Sequence, residues 1–124
     1  MEKRHLRVLV ADDDPDMVQS LLVLLRAEGH EVLGVFHGAD VVDTVGDFAP
    51  DALLLDIGLP SQSGYEIARA LRERYGSARP IIVAITGRTL PADRRLAELA
   101  GFDYHFTKPF EPKELLATLS SLTR

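Results

Sequence analysis

The 124-residue chain has no cysteine, which excludes a disulfide framework, a thiolate metal site and a cysteine nucleophile. It also has no apolar stretch near the roughly 20 residues that a membrane-spanning helix needs. The charged start from Met1 to Arg7 is unlike a signal peptide. These absences favour a cytoplasmic protein without a membrane span.

The composition is that of an ordinary folded protein, with 46% hydrophobic and 27% charged residues. The length fits one domain. Fourteen basic and 19 acidic residues give a net charge of −5, which argues against nucleic acid binding by this chain. We expect a single domain over residues 1–124, with a core of about 6–122 and no output domain.

Apolar runs and helical spacings alternate along the chain. The predicted strands are Leu6–Ala11, Glu31–Phe36, Ala52–Leu55, Ile81–Ile85 and Phe102–Thr107. A helical pattern follows each strand; the first ends at Gly29, the second at Pro50, the fourth spans about Ala92–Ala100, and the last begins near Pro112. Five successive βα units predict an α/β fold, a doubly wound five-stranded parallel sheet.

Polar residues follow four of the five predicted strands. They are Asp12, Asp13 and Asp14 after the first, Asp56 after the third, Thr86 after the fourth and Lys108 after the fifth. Taken singly, each has a local explanation: Asp14 precedes Pro15 as a helix N-cap would, Asp56 and Thr86 suit turns, and a lysine is commonly solvated. In a doubly wound sheet, however, the carboxyl ends of the strands meet at one edge, where ligands bind.

Three carboxylates at one edge would repel one another by roughly 4 kcal/mol per pair at ~4 Å and an effective dielectric near 20. A cation relieves this repulsion, and oxygen ligands with open positions suit Mg²⁺ shared with a phosphate. A carboxylate nucleophile, a metal, the ammonium of Lys108 and the hydroxyl of Thr86 are the groups that phosphoryl transfer needs.

Four motifs in this order resemble those of the receiver domains of two-component response regulators, the CheY-like family. They are Val8-Leu9-Val10-Ala11-Asp12-Asp13-Asp14-Pro15, Leu54-Leu55-Asp56-Ile57-Gly58-Leu59-Pro60 with Gly64, Ile85-Thr86-Gly87, and Phe106-Thr107-Lys108-Pro109-Phe110. The resemblance covers about Leu6 to Leu122. It implies the strand order 2-1-3-4-5.

The resemblance also implies the roles of the site residues. Asp56 would accept the phosphoryl group; Asp12, Asp13, Asp56 and the backbone carbonyl of Gly58 would hold Mg²⁺; Lys108 and Thr86 would stabilise the phosphoryl group; and the Lys108–Pro109 peptide bond would be cis. The phosphoryl donor would be a histidine kinase or a histidine phosphotransfer domain. By the same resemblance, the chain is not an enzyme beyond its own aspartyl phosphorylation and dephosphorylation, and a homodimer is common in the family.

One position departs from the commoner family pattern. Where most members carry Tyr or Phe three residues before the lysine, this chain has His105. The resemblance implies that His105 and Thr86 form the switch, with an imidazole in place of the larger aromatic ring. The segment from Gly101 to Pro109 is more similar to receivers attached to hybrid sensor kinases.

Three other interpretations were weighed against a phosphorylated receiver. The first is a phosphorylation-silent receiver that serves only as a docking scaffold. The second is a phosphatase of the haloacid dehalogenase type, but the Thr or Val expected after the Asp-x-Asp motif is Asp16. The third is an FMN-binding flavodoxin, whose phosphate the aspartates of the first loop would repel.

Overall fold

The computed structural model describes residues 5–58, 63–76, 79–87 and 101–122. In these ranges the strands are β1 (Arg7–Ala11), β2 (Glu31–Val35), β3 (Ala52–Asp56), β4 (Ile81–Thr86) and β5 (Tyr104–Thr107). The helices are α1 (Pro15–Ala27), a 3₁₀ turn (Gly38–Asp40), α2 (Val41–Phe48), α3 (Gly64–Tyr75) and α4 (Pro112–Ser121). The helix predicted around Ala92–Ala100 lies outside the described residues.

All five strands belong to one parallel sheet with the order β2-β1-β3-β4-β5. The predicted fold and strand order are therefore confirmed. β3 lies at the centre, between β1 and β4, and all five of its residues are buried. The sequence of β3 is a continuous apolar run because helices cover both faces of such a sheet.

The side chains of the strands alternate between two hydrophobic cores. Leu9, Leu53 and Ile82 face the core that includes α2 and α3. Val10 and Leu54 face the core that includes α1 and α4. The three central strands are thus buried on both faces, whereas the edge strands β2 and β5 are partly exposed.

Local capping fixes where the helices begin. The carboxylate of Asp14 accepts a hydrogen bond from the N–H of Asp16 (3.0 Å) and Pro15 is the first residue of α1, so the predicted N-cap is confirmed. α3 begins with a capping box. The side chain of Ser63 accepts a hydrogen bond from the backbone N–H of Glu66, and the side chain of Glu66 accepts one from the backbone N–H of Ser63. Pro112 occupies the first turn of α4, as predicted.

The predicted start of the fifth strand was wrong by two residues, since β5 begins at Tyr104 and not at Phe102. Asp103 causes the difference. Its N–H donates to the carbonyl of Ile82 (2.8 Å), and its carboxylate accepts the N–H of the same Ile82 (2.8 Å). Ladder pairing with β4 starts only after this side-chain bridge.

A single arginine ties α3 to the beginnings of β4 and β5. The guanidinium of Arg72 donates to the carbonyl of Gly101 (3.1 and 2.8 Å), to the carbonyl of Pro80 (2.9 Å) and to the carboxylate of Asp103 (2.8 Å). Its side chain is only 14% exposed. Because the bonds to the two carbonyls are partly buried, losing the guanidinium would leave those oxygens without their donor.

We expect Arg72→Met to lower the free energy of unfolding by about 2–3 kcal/mol, since several partly buried acceptors lose a charged donor. Arg74→Met is the matched control on the same helix, because Arg74 is 59% exposed, lies 3.7 Å from Asp43 and is 5.5 Å from the ring centre of Tyr75. The control should cost less than about 1 kcal/mol. Urea unfolding followed by circular dichroism measures both, and equal losses would contradict the role given to Arg72.

Candidate phosphoryl and metal site

Three carboxylates meet at the carboxyl-terminal edge of the sheet. Asp12 and Asp13 directly follow β1, and Asp56 is the last residue of the neighbouring β3. One oxygen from each lies within 4.8 Å of the others. Asp12 and Asp56 are buried, with 3% and 8% of their surface exposed, whereas Asp13 is exposed. The structure therefore brings together the three acids that the sequence placed at one edge.

Lys108 supplies the positive charge beside these acids. Its Nζ lies 3.0 Å from Oδ2 of Asp12 and 3.7 Å from Oδ2 of Asp56. The backbone holds it there, because the N–H of Lys108 donates to the carbonyl of Thr86 (2.7 Å). The Lys108–Pro109 peptide bond is cis. One ammonium thus contacts both buried carboxylates.

The two buried carboxylates are held in the same way. Oδ1 of Asp12 accepts the N–H of Asp14 (3.0 Å), and Oδ1 of Asp56 accepts the N–H of Gly58 (3.0 Å). In each case the donor is the amide two residues further along the chain, as in an Asx turn. The Oδ2 atoms of both carboxylates remain directed at Lys108.

The surroundings of the site shift the pKa values of both Asp56 and Lys108 upward. Burial raises the pKa of Asp56 above 3.8, and the negative charge of Asp12 adds to this rise, against the opposing effects of the Gly58 amide and Lys108. Burial works to lower the pKa of Lys108, but the hydrogen bond and charge of Asp12, with the charge of Asp56, raise it overall. A further positive charge at this edge would therefore stabilise the charged form of Asp56.

This donor set fits a divalent cation. Three carboxylate groups that converge within a few ångströms provide the hard oxygen ligands that Mg²⁺ and Ca²⁺ prefer. The exposed Asp13 lies on the solvent side, which leaves room for the water molecules that Mg²⁺ usually keeps. The residues present are thus suited to hold Mg²⁺ at this edge.

The remaining predicted residues lie at or near the same edge. Thr86 is the buried last residue of β4, and its carbonyl is the acceptor for Lys108. Gly58 is exposed and lies two residues after Asp56, the last residue of β3. His105 is half-buried in the middle of β5, where its partner in the ladder is Ala84, two residues before Thr86.

Two residues of the second motif, to which the sequence assigned no role, shape the site. The N–H of Ile57 donates to the carbonyl of Ile85 (3.0 Å), which extends the β3–β4 pairing beyond Asp56. Gly64, the first residue of α3, is in contact with the backbone of Ile57. The signal for Gly64 was its presence in the motif after Asp56, but its contacts depend on how α3 folds back against the loop.

A family model described as the response regulator receiver domain matches residues 8–120. The chain belongs to this family. The receiver resemblance seen in the motifs is thereby confirmed, and with it a place in two-component, phosphorelay signalling. Receiver domains are signalling modules of this kind, and the family uses Mg²⁺ and works with histidine kinases or phosphotransfer proteins.

Curated relatives include the DNA-binding response regulator MtrA of Mycolicibacterium smegmatis, 36% identical over 124 residues, and MtrA of Mycobacterium tuberculosis, 35% identical over the same length. The alignment covers 100% of this chain and 53% of each relative. The chain therefore spans about half the length of these regulators.

Solved structures of receivers superpose closely on this chain. The chemotaxis protein CheY4 of Vibrio cholerae is 25% identical, with a TM-score of 0.88, over 96% of this chain and 99% of that one. The receiver domain of a sensor histidine kinase from Pseudomonas aeruginosa, solved with a magnesium ion in its active site cleft, is 29% identical, with a TM-score of 0.86, over 97% and 98%. Among the described residues of the present chain, every helix is too short or too polar to cross a membrane.

We expect Asp56→Asn to raise the free energy of unfolding by about 1 kcal/mol at pH 7 in the absence of divalent ions, because it removes one charge from a repulsive pair. The raised pKa of Asp56 sets the sign: the folded state disfavours the charged carboxylate. The gain should shrink as the pH falls through that raised pKa and vanish below 3.8, where the wild-type carboxyl is protonated in both states.

Chemical unfolding in EDTA at several pH values measures this difference. Asp47→Asn is the control, because Asp47 is an exposed acid of α2 away from the carboxylate cluster. A variant Asp56→Asn less stable than wild type at pH 7 would mean that attraction to Lys108 outweighs the repulsion.

Proposed function

We propose that this chain accepts a phosphoryl group on Asp56 from a phosphohistidine and that the modification switches a protein-interaction surface. The observation that carries the proposal is the position of the Asp56 carboxylate, buried beside two other acids with Lys108 Nζ at 3.7 Å. An ordinary structural acid has no need of such neighbours, whereas a nucleophile in phosphoryl transfer does.

In the proposed reaction a carboxylate oxygen of Asp56 attacks the phosphorus, and an O–P bond forms as the bond from phosphorus to the imidazole nitrogen breaks. The departing imidazole keeps the electron pair of the broken bond. Lys108, already within ion-pair distance of the nucleophile, stabilises the negative charge of the transferring group. The hydroxyl of Thr86 is proposed to donate a hydrogen bond to the transferred group.

We also propose that Mg²⁺ binds at this site and that the transfer requires it. Asp12, Asp13, Asp56 and the backbone carbonyl of Gly58 would hold the ion, which would neutralise charge on the phosphoryl oxygens. The convergence of the three acids supports this assignment. So does the magnesium ion reported in the cleft of the Pseudomonas aeruginosa receiver.

We propose Thr86 and His105 as the switch pair. Thr86 lies at the end of β4 beside the Lys108 backbone, and His105 lies on the adjacent β5. A shift of the Thr86 side chain toward a phosphoryl group would change the space available above β5. The half-buried imidazole of His105 is suited to respond to that change.

We further propose that residues 6–122 act as one receiver unit in the cytoplasm, with a histidine kinase or a phosphotransfer domain as the donor. The effector is proposed to be another protein or domain, or a second copy of the chain, and not a nucleic acid bound by these residues. The only chemistry of residues 6–122 would be their own phosphorylation and dephosphorylation. The competing proposal is a phosphorylation-silent receiver that acts as a docking scaffold.

We expect intact-mass spectrometry after incubation with acetyl phosphate to show one phosphoryl adduct in wild type with Mg²⁺. The adduct should be absent in EDTA and absent in Asp56→Asn, because the first lacks the cation and the second lacks the nucleophile. Asp47→Asn, an exposed acid on α2, should form the adduct as wild type does.

The scaffold proposal predicts the opposite result. If no adduct forms in wild type at short sampling times or with a cognate kinase, phosphorylation of Asp56 is ruled out as the mode of action. An adduct that persists in Asp56→Asn would move the phosphoacceptor to another residue.

We expect His105→Tyr to form the adduct at a rate within about threefold of wild type, because the ladder partner of His105 is Ala84, two residues before the strand end that carries Thr86. Its amide NMR shifts on adding beryllofluoride and Mg²⁺ should nevertheless differ from those of wild type along β5. Tyr104→Phe, at the exposed neighbouring position, is the control. Identical shift changes in His105→Tyr and wild type would remove His105 from the switch.

A further inference from the structure

Gly64, the first residue of α3, lies directly against the backbone that follows Asp56. Its N–H donates to the carbonyl of Ile57 (3.0 Å). A Cβ built on Gly64 would lie 2.6 Å from Cα of Ile57 and 3.2 Å from the carbonyl oxygen of Asp56. These are backbone atoms, which cannot rotate away as the end of a side chain can. The close approach therefore requires glycine here.

The segment that Gly64 touches is held from the other side by the sheet. The N–H of Ile57 donates to the carbonyl of Ile85 in β4 (3.0 Å). The next residue, Gly58, donates its N–H to Oδ1 of Asp56 (3.0 Å). The Ile57 peptide is thus fixed between α3 and β4, and its position determines where the Asp56 carboxylate receives its backbone hydrogen bond.

The start of α3 is itself well anchored. The capping box of Ser63 and Glu66 closes its first turn, and Ile67 and Leu71 are fully buried in the core. Gly58, in contrast, is exposed. A methyl group at position 64 would therefore displace the backbone of Ile57 and Gly58 more readily than the helix.

We propose that Gly64 is a positioning residue of the site: its missing side chain allows α3 to fix the Asp56–Gly58 segment in the geometry that binds Mg²⁺ and accepts the phosphoryl group. The proposal rests on the function proposed above. Gly64 touches neither ligand and acts through the backbone of Ile57.

The test is Gly64→Ala, with the Mg²⁺ dissociation constant measured by titration calorimetry and the adduct rate measured with acetyl phosphate. We expect the dissociation constant to rise at least about tenfold and the rate to fall about 10- to 100-fold, since displacements near 1 Å have effects of this size. The amide NMR signal of Gly58 should also shift in the metal-free variant.

Gly46→Ala is the matched control. The same added methyl group would lie 2.6 Å from Oη of Tyr75, between α2 and α3 and away from the carboxylate cluster. This variant should keep the wild-type Mg²⁺ affinity and adduct rate even where its melting temperature falls. Equal losses of affinity in the two variants would mean general loosening of the fold and would overturn the proposal.

A folded Gly64→Ala with wild-type affinity and rate would also overturn it. Should Gly64→Ala not fold, Ser63→Ala releases the cap that holds α3 in place; weaker Mg²⁺ binding then supports the proposal, and unchanged binding overturns it. Because calorimetry does not require phosphorylation, a wild type that forms no adduct would contradict the proposed function while the positioning role is still decided by Mg²⁺ binding.

Discussion

The contact of one ammonium with two buried carboxylates is the interaction on which the organisation of the site depends. Nζ of Lys108 lies 3.0 Å from Asp12 and 3.7 Å from Asp56. Burial of two like charges is costly without a nearby cation and hydrogen bonds. The structure meets this need with Lys108 on one side and with the backbone amides of Asp14 and Gly58 on the other. The carboxylates are thereby kept close together but still short of positive charge.

The two ends of the sheet differ in how their charged groups are paired. At the carboxyl-terminal edge, two buried carboxylates contact a single ammonium, so that a bound cation or phosphoryl group would change their interactions. At the opposite edge, Arg72 and Asp103 join α3, β4 and β5 through hydrogen bonds whose donors and acceptors are matched. The length of the strands separates these two edges, so the hydrogen bonds of Arg72 lie away from the carboxylate cluster.

The sequence predicted the features that depend on local pattern, such as the Asp14 cap, the strand order by resemblance, and the strand ends that carry the acids. It did not predict contacts between a side chain and a distant backbone. In the sequence, Arg72 looks like any other arginine of an amphipathic helix. Its acceptor, the carbonyl of Gly101, is distant along the chain and comes near only in the fold. The predicted start of β5 was too early for the same reason. The carboxylate of Asp103 accepts the N–H of Ile82 in place of a backbone carbonyl, so the strand pairing begins only after Asp103.

The 96 residues that separate Lys108 from Asp12 have a consequence for synthesis. A ribosome delivers the chain from its N-terminus, so the three acids emerge well before the lysine that partners them. Until β5 joins the edge of the sheet, Asp12 and Asp56 are without the ammonium that contacts both of them in the folded chain. Solvent must screen those acids during this interval, and β5, the last of the described strands, is the one that completes the site.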